Sequence, residues 1–271
     1  MRFLAANSNL DEAQIVILGA PLEATETWRG GPSQAPQAIR YASDSVESFS
    51  VIFMRDMADL KVHDAGDLDC SGELEAALAN IESTIRGYFH RGKRVLLLGG
   101  EHTVTLPALR AAISAFGPTQ LLVLDAHTDL RDEYDGQRIS HATVTRRCSE
   151  LAERVVIVGA RSFYGGEFEL LHRFNIHFAS PRYFIRFLNP ALPVYLSLDL
   201  DVLDASQCPG VTNPEPGGLS YWEVIEVFKA LRGHFKVVAV DIVELSPPYD
   251  PSGVSAVCAA KLAVEGIIAI S

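Results

Sequence analysis

Short apolar runs of strand length recur through this chain, and they are apolar almost without interruption. Val95-Leu96-Leu97-Leu98, Leu121-Leu122-Val123-Leu124, Val155-Val156-Ile157-Val158 and Val194-Tyr195-Leu196-Ser197-Leu198 are the clearest. A strand with one face in water alternates apolar and polar residues, because successive side chains point to opposite faces. Strands without that alternation are buried on both faces, the condition of a parallel sheet covered by helices. Ile15–Leu18 and Val237–Ile242 read the same way, and shorter candidates lie at Leu60–His63 and Asn175–Phe178. Stretches with helical spacing separate these runs. From Glu73 to His90, Leu74, Ala77, Leu78, Ile81, Ile85 and Phe89 fall on one stripe, with Ser71 as a candidate cap. Further helices are expected over Pro36–Ser43, Leu106–Phe116, Thr143–Ala152, Tyr221–Leu231 and Ser255–Ile267. This alternation predicts a three-layer α/β fold in a single domain spanning residues 1–271, with no repeat or linker to divide it.

Polar residues gather where three of these runs end. Gly99-Gly100-Glu101-His102 follows the first, Asp125-Ala126-His127-Thr128-Asp129 the second, and Asp199-Leu200-Asp201-Val202-Leu203-Asp204 the fourth. If the strands continue, Asp125, His127 and Asp129 share a face, and so do Asp199 and Asp201. With His102 they supply oxygen and nitrogen donors and no sulfur. Each run alone has an ordinary structural reading: an isolated DxD caps a strand end, and a double glycine makes a tight turn. Together they would bury four carboxylates, whose unpaired charge costs several kcal/mol per ion. Two divalent cations balance four carboxylates, and a hydroxide between them leaves one net negative charge, which suits a cationic substrate. Carboxylate and imidazole without thiolate favour manganese, with iron, cobalt, nickel or zinc as alternatives. Two such ions about 3.5 Å apart lower the pKa of a shared water and orient it as a nucleophile.

The net charge of −11 and the pI of about 5.2 argue against nucleic acid or an anionic membrane as partner. The cysteines Cys70, Cys148, Cys208 and Cys258 form no CxxC pair and read as reduced thiols in a cytoplasmic protein. The opening Met1-Arg2-Phe3-Leu4-Ala5-Ala6-Asn7 is too short and too soon polar for a signal peptide, and no apolar stretch approaches the roughly 18 residues of a membrane span. Ala205 to Gly218, a long loop with three prolines, follows the third polar run directly, at the carboxyl end of a strand where open α/β sheets bind ligands. Arg131 to Ser140 flanks the same crevice.

These motifs, together with Gly19-Ala20-Pro21, Pro36-Gln37-Ala38-Ile39-Arg40, Ser140-His141-Ala142-Thr143 with Arg146-Arg147, and Val243-Glu244-Leu245-Ser246-Pro247-Pro248-Tyr249-Asp250, resemble the ureohydrolases. That family includes arginases, agmatinases, guanidino-acid hydrolases and formimidoylglutamase, and the resemblance is closest to agmatinases. It implies an arginase-like α/β/α sandwich around a mostly parallel eight-stranded sheet, commonly a homo-oligomer, trimeric or hexameric. It implies two Mn2+ ions, one taking His102, Asp125, Asp129 and Asp199, the other Asp125, His127, Asp199 and Asp201. A bridging hydroxide would attack the guanidinium carbon and release urea and an amine. Asp129 would also orient that hydroxide, Glu244 would hold the guanidinium, and His141 would pass a proton to the leaving amine.

The chemistry of the residues agrees with these roles. A carboxylate pairs with a planar cationic guanidinium in bidentate fashion. The guanidinium carbon is a poor electrophile and needs an activated nucleophile. Histidine is the side chain suited to proton transfer near neutrality. The chain departs from the family pattern at several points. Glu101 and Thr103 stand where Asp and Ser are frequent, and Glu101 is expected to orient His102. Ala205 and Cys208 replace a frequent Pro and Ala, and the Trp28–Pro36 segment lacks a glycine and an arginine.

For the substrate, the acids of Arg131-Asp132-Glu133-Tyr134-Asp135 read either as a solvated charge run or as groups that meet the ammonium of agmatine, whose hydrolysis gives putrescine and urea. Arg131 is a candidate for the carboxylate of a guanidino acid instead, and aminopropylagmatine would also suit an acidic mouth. Two alternatives of other kinds are a one-zinc deacetylase of related architecture and a catalytically inactive metal-binding family member.

Overall fold

In the computed structural model, which describes residues 1–271, each of the apolar runs named above is a strand. The strands are β1 (Ile15–Ala20), β2 (Phe49–Ser50), β3 (Arg55–Asp56), β4 (Val62–Asp67), β5 (Arg94–Gly99), β6 (Gln120–Leu124), β7 (Arg154–Val158), β8 (Ile176–Ala179), β9 (Val194–Asp199) and β10 (Val237–Val243). Eight of them form one sheet in the order β4-β1-β5-β10-β9-β6-β7-β8, and all its neighbours run parallel. The remaining two, β2 and β3, make a small antiparallel pair that the sequence did not announce, because two-residue strands carry no readable period.

Helices cover both faces. Residues of α1 (Ala35–Ser43), α6 (Tyr221–Leu231) and α7 (Val254–Ile270) pack on one side, against Ile17, Leu96, Leu98, Leu122 and Leu196. Residues of α2 (Leu74–His90), α3 (Thr105–Phe116) and α4 (Val144–Ser149) pack on the other, against Leu18, Val95, Leu97, Leu121 and Tyr195. Adjacent strand residues thus serve opposite layers, which is why these runs had to be apolar throughout. Truncating one such side chain, as in Leu196→Ala, costs about 2–5 kcal/mol.

The helical spacings hold, with shifted ends. The expected helix over Thr143–Ala152 is shortened to α4, and α7 runs on to Ile270. A one-turn helix, α5 (Leu170–Arg173), was not expected. Ser71 does not cap α2: its N–H and hydroxyl both donate to Asp69, and the helix starts after an extended Glu73. No helix is long and apolar enough to cross a membrane.

Sheet order decides where the polar runs meet. β5 and β6 are consecutive through α3, yet β10 and β9 lie between them. The chain therefore leaves adjacent strand ends in opposite directions and opens a crevice at the carboxyl edge, the usual ligand position of such sheets. His102 follows β5, Glu244 follows β10, Asp199 ends β9, and Asp125 follows β6.

Candidate active site

The donors converge, but not by strand alternation. β6 ends at Leu124, so Asp125, His127 and Asp129 lie on a turning loop, and Asp129 adopts a left-handed backbone with φ of 49°. Asp201 sits in a 3-10 turn, where its N–H donates to Asp199 Oδ1 at 2.9 Å. Glu244 is also left-handed, with φ of 66°. A left-handed non-glycine residue costs on the order of 1–3 kcal/mol and persists where its surroundings hold it. Here the Glu244 N–H donates to Gly100 O at 2.9 Å, and its carbonyl accepts from Thr212 N–H at 3.2 Å.

His102 Nδ1 lies 3.3 Å from Asp125 Oδ2, 3.1 Å from Asp129 Oδ2 and 3.3 Å from Asp199 Oδ2. His127 Nδ1 lies 2.8 Å from Asp201 Oδ2 and 3.7 Å from Asp125 Oδ1. Two groups with metal-ligand geometry result, His102/Asp125/Asp129 and Asp125/His127/Asp201, sharing Asp125. The fit to a cation rests on orphaned atoms: His102 Nδ1 and Asp125 Oδ2 are buried and have no hydrogen-bond partner. His102 Nε2 is 3.0 Å from Ser197 Oγ, which donates to Asp241 Oδ1 at 2.6 Å. Asp241 also accepts from Thr105 and Tyr195, both at 2.8 Å. With the Nε2 proton so engaged, Nδ1 is left with a lone pair that can ligate a cation held among the carboxylates. Burial and the neighbouring charges of Asp201 and Asp129 push Asp125 up to about 7. For His127, burial alone would lower the pKa, but the carboxylates led by Asp201 outweigh it and raise it to about 10. Such a cluster carries more negative charge than it can hold without a counter-ion.

Glu244 lines the crevice beside this cluster. Its Oε1 accepts the His102 backbone N–H at 2.5 Å, and its Oε2 accepts the Thr212 hydroxyl. Burial pushes its pKa up to about 7, against the opposing pull of His141 and Thr212. Thr212 belongs to the long Ala205–Gly218 loop, so that loop serves to fix Glu244. His141 starts the turn before α4, is buried, and meets the ring of Tyr134 edge-on at 5.8 Å.

Arg131 and Tyr134 line the crevice, but Asp132, Glu133 and Asp135 do not. Of the two readings of these acids, the structure follows the solvated charge run and not the ammonium site. Asp132 pairs with Arg147, and Glu133 and Asp135 point into solvent. The Arg131 guanidinium lies over Tyr164 and Tyr134, 4.6 and 5.3 Å from the ring centroids. The carboxylate that does line the crevice wall near it is Glu167, which accepts from the Thr128 hydroxyl at 2.5 Å. The expected orientation of His102 by Glu101 is corrected: Ser197 takes that part, and Glu101 turns away to Ala24 and Thr25.

Sequence reasoning missed further residues. Asp241, a lone acid within an apolar strand, was a readable signal. Arg161 reaches the carbonyls of Asp201 at 2.8 Å and Glu215 at 2.9 Å, tying the long loop to the cluster. The Arg146 backbone N–H donates to Asp129 O at 2.9 Å, bracing the left-handed turn. Glu26 has buried carboxylate oxygens without partners and is pushed up to about 10 by burial and by the charge of Glu244.

A model of the Arginase family matches residues 13–269. An agmatinase of Pyrococcus horikoshii is 36% identical over 246 residues, 88% of this chain and 86% of that protein. An N(1)-aminopropylagmatine ureohydrolase of Thermococcus kodakarensis is 34% identical over 272 residues, 96% of this chain and 92% of the other. Among solved structures, an agmatine ureohydrolase of Thermoplasma volcanium superposes with a TM-score of 0.90 at 31% identity, covering 99% of this chain and 94% of that one.

Proposed function

This chain belongs to the arginase family, and on that premise we propose that it hydrolyses agmatine to putrescine and urea at a site holding two Mn2+ ions. The observation that carries the reading is a buried carboxylate, Glu244, fixed beside a buried acid–imidazole cluster whose donor atoms lack partners. His102, Asp125, His127, Asp129, Asp199 and Asp201 would hold the ions. When bound, the ions supply an activated water as nucleophile at neutral pH.

The chain's own residues do the rest. Each oxygen of Glu244 has one protein donor and keeps a lone pair for an N–H of the guanidinium. Asp129 orients the attacking water. His141 takes a proton on its crevice side and gives it to the departing amine nitrogen. Glu167 offers the distal ammonium a carboxylate at the crevice wall. A second reading, a guanidino acid as substrate, is favoured by Arg131, which lines the same wall as a cation with no ion-pair partner. The trimeric or hexameric assembly implied by the resemblance belongs to the same proposal, and sedimentation checks it.

The test is urea release by the Mn2+-loaded protein from agmatine, aminopropylagmatine, arginine, 4-guanidinobutyrate and 3-guanidinopropionate. Agmatine is expected to be turned over with the highest kcat/KM. Release from none of them sinks the reading; a preference for guanidinobutyrate replaces the first substrate with the second.

A further inference from the structure

His141 is held from behind by contacts that no motif announces. Its backbone N–H donates to Thr25 Oγ1 at 3.0 Å, and its ring Nδ1 lies 3.1 Å from the same oxygen. Thr25 Oγ1 lies 2.9 Å from Glu101 Oε1. Glu101 Oε2 accepts the backbone N–H groups of Ala24 and Thr25, both at 2.7 Å. All three side chains are buried, Glu101 completely. The close approach of these segments needs a glycine beside Glu101: a Cβ at Gly100 would stand 2.0 Å from Leu22 O.

Hydrogen counting gives this chain a direction. A carboxylate only accepts, so the single hydroxyl proton of Thr25 goes to Glu101. Two lone pairs remain on Thr25 Oγ1. One takes the His141 backbone N–H, and the other makes a hydrogen bond to Nδ1 only if Nδ1 carries the ring proton. In the neutral ring Nε2 then holds the lone pair, and it has no hydrogen bond within the protein. His141 itself lines the crevice.

We infer that Thr25 and Glu101 are positioning residues that hold His141 in its Nδ1–H tautomer, with Nε2 as the atom that moves the proton. The inference rests on the ureohydrolase reading, in which His141 carries that proton. As the oxygen of the attacking water bonds to the guanidinium carbon, one of its protons passes through Nε2 to the amine nitrogen, and the other leaves the oxygen for the freed amine as the urea carbonyl forms. That nitrogen takes the electron pair of the breaking C–N bond. The wrong tautomer would present a filled Nε2 to the water and could not start the transfer.

The experiment is nitrogen-detected NMR of 15N-histidine-labelled, zinc-loaded protein, with the His141 signals assigned by His141→Gln, alongside steady-state kinetics of the Mn2+-loaded enzyme. The wild type is expected to carry the His141 proton on Nδ1. Thr25→Val should lower kcat about 10- to 100-fold while KM stays within about twofold and metal content is unchanged. Thr25→Ser, which keeps the hydroxyl, should restore most of the rate. In Glu101→Gln the amide N–H can donate to Thr25, turn its hydroxyl toward Nδ1 and move the ring proton to Nε2. A wild-type ring protonated on Nε2, or a Thr25→Val enzyme with kcat within about twofold of wild type, overturns the inference. If Thr25→Val does not fold, the wild-type tautomer and the Glu101→Gln shift still decide it. A wild type that releases no urea fails the ureohydrolase reading alone, because the tautomer is read without turnover.

Discussion

Two charge clusters are buried in this fold, and they are built on opposite terms. Arg40, on α1, donates from Nε to Asp64 Oδ2 at 2.8 Å, from Nη2 to Asp64 Oδ1 at 2.9 Å and to Gly66 O at 3.1 Å, and from Nη1 to Asp67. Asp64 also accepts the N–H groups of Phe3 and Gly66, at 2.7 and 3.0 Å. The strand-end cluster gathers four carboxylates against two imidazoles and leaves His102 Nδ1 and Asp125 Oδ2 without partners. The first pairs its buried carboxylate, Asp64, with Arg40, leaves its second acid, Asp67, part-exposed to water, and joins the N-terminal segment to the sheet. The second holds surplus negative charge that something from outside has to neutralise. Unsatisfied buried polar atoms, more than the number of acids, separate a site for a ligand from a structural ion pair.

Breaking the open cluster should have the largest effect on function. Asp125→Asn is expected to lower urea release more than about a thousandfold, ~4 kcal/mol or more, and to lose bound metal by emission spectroscopy. An Asp125→Asn protein that keeps two ions and full activity would remove the cluster's assigned role. Breaking the closed cluster should act on stability instead. Arg40→Met strands Asp64 and is expected to cost about 3–5 kcal/mol in urea denaturation, with metal content of the folded protein unchanged.

Glu244 tests the border of the open cluster. Glu244→Ala should retain metal and lower turnover about a hundredfold, ~2.7 kcal/mol, because it removes the guanidinium partner and no ligand. Full activity in that variant would show that another group binds the substrate.

The clusters also predict opposite pH slopes in protein stripped of divalent ions. Asp125 is raised from 3.8 to about 7 and His127 from 6.5 to about 10. A raised pKa contributes stability below the unfolded value and loses it as pH rises through the folded one. The stripped protein should therefore unfold at lower urea at pH 8 than at pH 5, and Asp125→Asn should flatten that slope. Burial alone would raise the pKa of Asp64, but Arg40 outweighs it and holds it below the ordinary 3.8, so its contribution is present above that value and lost on acidification. Arg40→Met should remove stability from the neutral range and leave the pH 5 to 8 slope intact. The smallest effect is expected at the crevice mouth. Arg131→Ala should change the agmatine-to-guanidinobutyrate ratio about fivefold, ~1 kcal/mol, and an unchanged ratio would exclude Arg131 from substrate recognition.

Much of this was legible along the chain. The unbroken apolar runs announced a sheet covered on both faces, and the acids and histidines after them marked its carboxyl edge. The route by which the donors meet was not legible. Strand alternation could not have joined Asp125 to Asp129, because the strand ends at Leu124 and the turn depends on the left-handed Asp129 braced by Arg146. Glu101 was read as a partner of its neighbour His102, and it binds Thr25 and Ala24 instead. The acids after Arg131 read equally as a solvated run or a cation site until Arg147 claimed Asp132.

What the sequence by itself determined is therefore local and periodic: which segments are strands, that both their faces are dry, and which side chains sit at their ends. These follow from backbone geometry and the cost of burying polar groups, which act over a few residues. The tertiary structure alone decided which strand ends are adjacent. The order β1-β5-β10-β9-β6 brings Glu244 to His102 across 142 residues and Thr25, in the loop after β1, to His141 across 116. Those pairings depend on how helices pack between strands distant in the chain, and no local period records them.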